Sequence, residues 1–293
     1  FMSFIICKEV LIVTYLMSAI LGLVQGVAEF LPISSSGHLT LLQHFFGMEE
    51  PDQLLNILPH FATLLAVCIY YFQDVLGMIL EFFRGIAAMF SRQPGQGEPP
   101  ETRRLVFLVI VGTLPLFLIL PVKKYVEGLG SSPVFVSFAL LVTGCILFLS
   151  DRMVTGRKTA RSATVKDVLL VGVAQGIATI PGLSRSGCTI SAGMALGFRR
   201  EFAVRYSFLM SLPAVFGATL LELIDAVQAG IDTSLLPVYL VGMLVAGVVG
   251  YFAIRLVNLL ADKGKFGAFA YYCWIAGAIF LVLSLLGVTF VHA

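Results

Sequence analysis

Gly22-Leu-Val-Gln25-Gly26-Val-Ala28-Glu29-Phe-Leu-Pro32-Ile-Ser34-Ser35-Ser36-Gly37-His38 returns 150 residues later as Gly172-Val-Ala-Gln175-Gly176-Ile-Ala178-Thr179-Ile-Pro181-Gly182-Leu-Ser184-Arg185-Ser186-Gly187-Cys188. Gly22, Gln25, Gly26, Ala28, Ser34, Ser36 and Gly37 recur without a gap. Chance at average residue usage gives roughly one identity in such a window. Ala62-Thr63-Leu64-Leu65 likewise comes back as Ala218-Thr219-Leu220-Leu221. The chain reads as one domain, 1–293, made of two homologous halves, 1–150 and 151–293.

Around these motifs the chain is apolar. It is 58% hydrophobic and 12% charged over 293 residues, where a soluble domain carries about 25% charge. Apolar runs cover 105–122, 134–150, 202–224, 236–260 and 268–291. Each is near the ~20 residues that span ~30 Å of hydrocarbon as a helix. Polar faces at period 3.6, which a soluble helical protein needs, are not evident. A net charge of +2 gives no sign of a nucleic-acid partner. Cys7, Cys68, Cys145, Cys188 and Cys273 are scattered and odd in number, which argues against a disulfide framework or a zinc site. Lys8 and Glu9 break the first apolar stretch and no small-residue cleavage site follows, which argues against a removable signal peptide.

Each half opens with an apolar stretch that runs into a Pro/Ser/Gly cluster. Residues 10–24 are short for a span, and another short apolar helix, 39–46, follows the cluster. Two half-length helices joined by a polar turn make a re-entrant hairpin; the other reading is that 10–24 crosses fully. Three spans follow in each half, at 55–73, 104–122 and 133–150, then at 203–225, 236–259 and 268–290. Three is odd, so the second half is inverted relative to the first. The expected fold is an all-α polytopic membrane protein of two inverted repeats, each a re-entrant helical hairpin plus three transmembrane helices. On this topology one side carries Arg84, Arg92, Arg103, Arg104, Arg152, Arg157, Lys158, Arg161, Lys166, Arg199, Arg200, Arg205, Lys263 and Lys265, with Arg255 close by. The other side has Lys8, Lys123 and Lys124. The positive-inside rule makes the first side cytoplasmic, so both termini and Asp232 face outward.

The two turns hold the ionisable residues that membrane depth makes costly: Glu29, His38 and Arg185, among Gln25, Ser34, Ser35, Ser36, Ser184 and Ser186. Arg185 offers a planar fork of donors that suits phosphate oxygens. Each Ser/Gly cluster precedes a helix, so free N–H groups and a positive dipole end point into each turn. The repeat sets Ser35 opposite Arg185, and an axis through the site brings them together. Glu29 is replaced by Thr179 and His38 by Cys188. Acid–base capacity therefore lies in one half, which favours catalysis over symmetric transport, with His38 three residues beyond Ser35 as its base. A transporter or flippase for lipid phosphate or another anion is the alternative that the inverted repeat keeps alive. His44, His60 and His292 read as packed or interfacial, with His60 near the mouth. Glu222 and Asp225 read as interfacial, and Tyr271, Tyr272 and Trp274 as an aromatic belt.

At these residues the chain resembles the undecaprenyl-diphosphatases, the bacitracin-resistance membrane phosphatases. Their first motif, (E/Q)xxxE and then PxSSxGH, is similar to 25–38. Their second, PGxSRSxxT, is similar to Pro181 through Thr189, and Phe208-Leu-Met-Ser211-Leu-Pro213 also fits. The resemblance covers nearly the whole chain. It implies a hydrolase of the bacterial inner (plasma) membrane that converts undecaprenyl diphosphate to the monophosphate carrier for cell-wall synthesis, on the periplasmic side. It also implies a divalent cation, Mg²⁺ or Ca²⁺. By the same resemblance Glu29 and Gln25 are the first-motif acid and its partner, and Glu29 is a candidate metal ligand. Ser35 and His38 are nucleophile and base, and Arg185 is the phosphate clamp. Ser34, Ser36, Gly37, Ser184, Ser186, Gly187 and Thr189 complete the substrate-binding set. Many members carry Glu where this chain has Gln25. Whether Ser35 or a water attacks, and whether the chain forms a homodimer, stay open at this level.

Overall fold

The computed structural model describes residues 2–46, 53–90, 100–153, 156–230, 233–264 and 266–288. Arg92, Asp232, Lys265 and His292 lie outside the described residues. Most of this range is helical; 156–164 is a loop joined to Phe198 by one bridge from Lys158. The helices are α1 (Met2–Phe30), α2 (Ser35–Phe45), α3 (Gln53–Tyr70), α4 (Phe72–Phe90), α5 (Glu101–Thr113), α6 (Lys123–Gly128), α7 (Pro133–Asp151), α8 (Val165–Ile177), α9 (Arg185–Ala195), α10 (Arg200–Ala229), α11 (Leu236–Asp262) and α12 (Gly267–Leu285). Among the described residues, five helical segments are long and apolar enough to cross a membrane: Glu101–Val126, Pro133–Asp151, Arg200–Gln228, Thr233–Ala261 and Gly267–Leu285. Leu54–Tyr70 and Phe72–Ala88, bent by 87°, make a sixth if taken as one span. Large exposed side chains such as Phe138, Leu244, Ile275 and Leu285 clothe the outside of these helices, as lipid requires.

Three expectations need correction. The first arm is not half-length: α1 runs unbroken for 29 residues. Lys8 and Glu9 interrupt the apolar run, but both are good helix formers, and no proline intervenes. The arms of the second hairpin, α8 and α9, are short at 13 and 11 residues. The span expected at 104–122 falls within the segment Glu101–Val126, but it is α-helical only to Thr113. Pro115 and Pro121 then remove ladder donors, and the chain continues as 3₁₀ turns over Leu114–Leu118 and Leu120–Val122. The third correction is α4, for which the apolar-run reading had no element. Its outward face carries Phe72, Leu76, Ile79, Leu80 and Phe83 at helical spacing. Its other face is tied down. Asp74 pairs with Arg205 of α10, and Glu81 accepts from Arg84 (2.8 Å) and from Arg103 of α5 (3.0 Å). At the bend itself, Asn258 of α11 donates Nδ2–H to the Tyr71 hydroxyl (2.9 Å).

The bundle is held by close helix pairs. α1 packs along α11 and α8 along α5; α3 lies on α11 and α10 on α5; α3 meets α10 and α7 meets α12. Small residues set the first two distances. A Cβ on Gly22 would stand 2.3 Å from the Gly242 carbonyl oxygen, and one on Gly172 would stand 2.1 Å from the Gly112 carbonyl oxygen. Gly22 and Gly172 are repeat counterparts, so both halves use one backbone-to-backbone contact. Gly172→Ala is expected to destabilise the detergent-solubilised protein by about 1–3 kcal/mol or more, as overpacking does. Gly217→Ala, where nothing lies within 4 Å of a new Cβ, is expected to be neutral or stabilising. Thermal unfolding of the two variants side by side checks this.

Candidate active site

The two polar turns are built alike. Ser34 caps α2, its Oγ accepting from the Gly37 amide (3.2 Å); Ser184 caps α9, its Oγ accepting from the Gly187 amide (3.1 Å). His38 N–H closes onto the Ser34 carbonyl (3.2 Å) as Cys188 N–H closes onto that of Ser184 (2.8 Å). The turns lie against each other. A Cβ on Gly37 would stand 3.0 Å from Gly182 Cα, and one on Gly187 3.4 Å from Pro32 Cβ. Thr143 of α7 fixes the second turn by donating to the Gly182 carbonyl (3.1 Å) and accepting from the Ser184 amide (3.2 Å).

Glu29, on the last turn of α1, is the hub. Its carboxylate is buried. Oε2 accepts from Ser35 Oγ (2.7 Å) and from Gln25 Nε2 (3.0 Å), and Oε1 accepts from Arg185 Nη2. His60 Nε2 stands 3.9 Å from Oε2. One carboxylate thus holds Ser35 and Arg185, so the hydroxyl and the guanidinium lie within reach of a single diphosphate. This group forms one wall of a cavity of about 300 Å³.

The sequence-predicted residues divide into two sets. Glu29, Ser34, Ser35, Ser36, Ser184 and Arg185 line the cavity. Gln25, His38, Gly37, Ser186, Gly187 and Thr189 stand behind it. Gln25 is fully buried and serves Glu29. Gly37 and Gly187 let the turns approach. Ser186 lies on the Leu31 carbonyl (3.5 Å), and Thr189 bonds Ser207 of α10 (2.6 Å) and the Arg185 carbonyl (2.8 Å).

His38 differs most from expectation. Its Nδ1 meets the Ser34 carbonyl (2.8 Å) and its Nε2 the Tyr272 hydroxyl (2.9 Å). A carbonyl only accepts, so Nδ1 carries the proton, and Nε2 of the neutral ring accepts from Tyr272. Ser35 turns back to α1 while the His38 ring stacks on Tyr272 of α12 (centroids 5.6 Å apart), so helical spacing does not bring the two together. Tyr272, expected in an interfacial belt, is this ring's partner.

His60, Gln175, Thr179 and Glu222 also line the cavity; the sequence set His60 near the mouth and gave the other three no place in the site. His60 donates Nδ1–H to the Asn56 carbonyl (2.9 Å), which leaves Nε2 facing Glu29. The Ala-Thr-Leu-Leu echo was the available signal: His60 lies just before its first copy and Glu222 just after its second.

The residues present do not form a ready cation cage. Among the described residues, no three His, Cys, Asp or Glu side chains converge. Both oxygens of Glu29 are already taken by Arg185, Ser35 and Gln25.

The family model for bacitracin resistance protein BacA matches residues 18–279. An undecaprenyl-diphosphatase of Halothermothrix orenii is 41% identical over 265 residues, covering 90% of this chain and 96% of that protein. Proteins of the same name from Carboxydothermus hydrogenoformans (41% over 274 residues, 92% and 97% covered) and Methanosphaera stadtmanae (39% over 276 residues, 92% and 98%) are also similar. Both repeat turns and every cavity residue fall inside the matched range, and the chain belongs to the bacitracin resistance protein BacA family.

Proposed function

We propose that this chain hydrolyses undecaprenyl diphosphate to undecaprenyl phosphate and inorganic phosphate. The observation that carries the reading is the single buried carboxylate that joins a serine hydroxyl to an arginine fork at the wall of a cavity within the membrane bundle. Arg185 and the two helix N-termini hold the phosphates and spread their charge, which is most of what phosphoryl transfer asks of a protein. Ser35 Oγ attacks the terminal phosphorus, its proton passes to Glu29 Oε2, and the bridging P–O bond breaks to release the lipid monophosphate. Water then attacks the phosphoserine, giving a proton to His60 Nε2, Glu29 returns its proton to Ser35 as phosphate leaves, and His60 releases its proton to water. His38 acts on this sequence by holding the Ser34 carbonyl, and so the turn that carries Ser35.

The exchange of helix pairs supports two inverted halves, 1–150 and 151–293, within one membrane domain. α1–α11 maps on α8–α5, α3–α11 maps on α10–α5, and α3–α10 and α7–α12 map on themselves. The basic residues gather at one end. Arg104 donates to the Ala160 and Ala163 carbonyls (2.9 Å each), Arg161 pairs with Glu101 (3.1 Å), and Arg200 reaches the Asp151 carbonyl (3.3 Å). By the positive-inside rule this end is cytoplasmic, with both chain termini on the other side. His60 lies 10 residues from Tyr70 at the basic end of α3, and Ala214 and Glu222 lie 9 and 17 residues beyond Arg205 in α10. At 1.5 Å per residue the cavity begins about 13–15 Å in and reaches about 25 Å. That depth supports an opening toward the outer, periplasmic face.

Purified wild-type protein in detergent is expected to release phosphate from a prenyl diphosphate. Arg185→Lys keeps the charge but loses the fork, and should cost on the order of 10²-fold in turnover. Glu29→Gln and His60→Ala should each cost roughly 10²–10⁴-fold. Near-wild-type rates in normally produced variants would remove those roles. Orientation is tested by labelling. Glu222→Cys should react with a membrane-impermeant maleimide in intact cells above the wild-type background, and Arg161→Cys only after permeabilisation; the reverse pattern would invert the topology.

A further inference from the structure

Gln175 is buried in α8, 1% exposed, and lines the cavity, yet neither its Nε2 nor its Oε1 has a hydrogen-bond partner. Buried amides are bonded almost without exception, so an unmade pair is a standing destabilisation that calls for a cause. Its repeat counterpart shows what is missing. Gln25 donates Nε2–H to Glu29, four residues on, at 3.0 Å. At the same spacing from Gln175 stands Thr179, whose hydroxyl donates to the Gly176 carbonyl (2.7 Å) instead. A second donor is in the same state. Arg185 binds Glu29 through Nη2, while its Nη1 is buried without a partner.

We propose that Gln175 Nε2 and Arg185 Nη1 together bind the phosphate that stays on the lipid, while Arg185 Nη2 and Ser35 address the terminal phosphate. The inference rests on the diphosphatase reading given above. It adds a residue from α8, so that the site takes donors from both arms of the second hairpin. Nη2 is the arm of the guanidinium that already stands with Ser35 on Glu29. The other arm is the one left for the neighbouring phosphate of the same headgroup, and an amide donor lining the same cavity supplies a second bond without adding charge. The phosphate that stays on the lipid is the leaving group, and its oxygens gain charge as the bridging P–O bond breaks. A donor to it therefore acts on kcat as well as on KM, and its loss is read in kcat/KM.

The test uses full-length protein in detergent with farnesyl diphosphate as substrate. Gln175→Ala is expected to lower kcat/KM about tenfold or more, as loss of one hydrogen bond to a charged group implies. Gln175→Glu keeps the shape but sets a carboxylate against phosphate, so it should lower kcat/KM further still. A merely structural amide predicts the opposite order, since Glu fills the space that Ala empties. Stability gives a readout independent of turnover. Gln175→Leu breaks no hydrogen bond and should melt at or above the wild-type temperature, whereas Gln25→Leu strips Glu29 of a donor and should melt lower. A kcat/KM within twofold of wild type in both the Ala and Glu variants, a kcat/KM lowered more by Ala than by Glu, or a Gln175→Leu protein that melts as low as Gln25→Leu, would overturn the assignment while leaving the diphosphatase reading intact. Wild-type protein that releases no phosphate at all would overturn that reading and this proposal with it.

Discussion

A carboxylate and a guanidinium meet at the centre of this molecule, from residues 156 positions apart in the chain. Either charge alone at membrane depth is expensive, whereas the pair with its extra donors is tolerable. Glu29 is supplied with Gln25 and Ser35 from its own half and with Arg185 from the other. The consequence for folding is that the halves cannot separate without stranding a buried charge, which typically costs 3–5 kcal/mol. The consequence for function is that the same pair presents a hydroxyl and a fork side by side, and that an arriving phosphate has a carboxylate to displace from the arginine.

The repeat built the cavity and divergence gave it chemistry. Ser34 and Ser184 cap their helices through the same bond from the glycine three residues on, and Gly22 and Gly172 serve alike close contacts. Two of the differences between the repeats face the cavity. Ser35 stands where the other half has Arg185, and Glu29 where it has Thr179. Gln25 has Glu29 four residues on as its partner, while Gln175 has Thr179 at that spacing and no bond to it. A transporter built on the same plan gains nothing from confining its acid to one half, whereas a hydrolase needs one nucleophile and one clamp.

How much of this could be read from the sequence follows from what sequence patterns encode. The apolar runs at 134–150, 202–224 and 236–260 became α7, α10 and α11, because a long uncharged run in hydrocarbon can only be a helix. The motif residues Glu29, Ser35 and Arg185 were legible because ionisable groups in polar turns stand out against that background. The amphipathic α4 was not, since Asp74, Glu81 and Arg84 break its apolar residues into short runs, none as long as a span. The orientation of the His38 and His60 rings was not legible for a related reason. Spacing tells which residues share a turn of helix, but the neighbouring helix decides which way a ring points. For His38 that neighbour is α12, and for His60 it is the end of α1.

The first turn also carries a backbone feature that gives His38 a purpose without proton transfer at phosphorus. In the second turn the positive φ falls on Gly182 (+93°), where it costs little. The repeat position in the first turn is Pro32, whose ring holds φ negative. The positive φ is shifted to Ser34 (+72°), a residue with a Cβ, at a cost of order 1–3 kcal/mol. Ser34 directly precedes Ser35, so relaxation of that strain would swing the hydroxyl away from Glu29. Three bonds oppose it. The Gly37 amide donates to Ser34 Oγ, and the His38 amide and ring Nδ1 both donate to the Ser34 carbonyl. The ring is in turn fixed by Tyr272 from a distant helix. His38 is thus a strap across a strained turn, and its counterpart Cys188 needs no such ring because Ser184 (φ −79°) is relaxed.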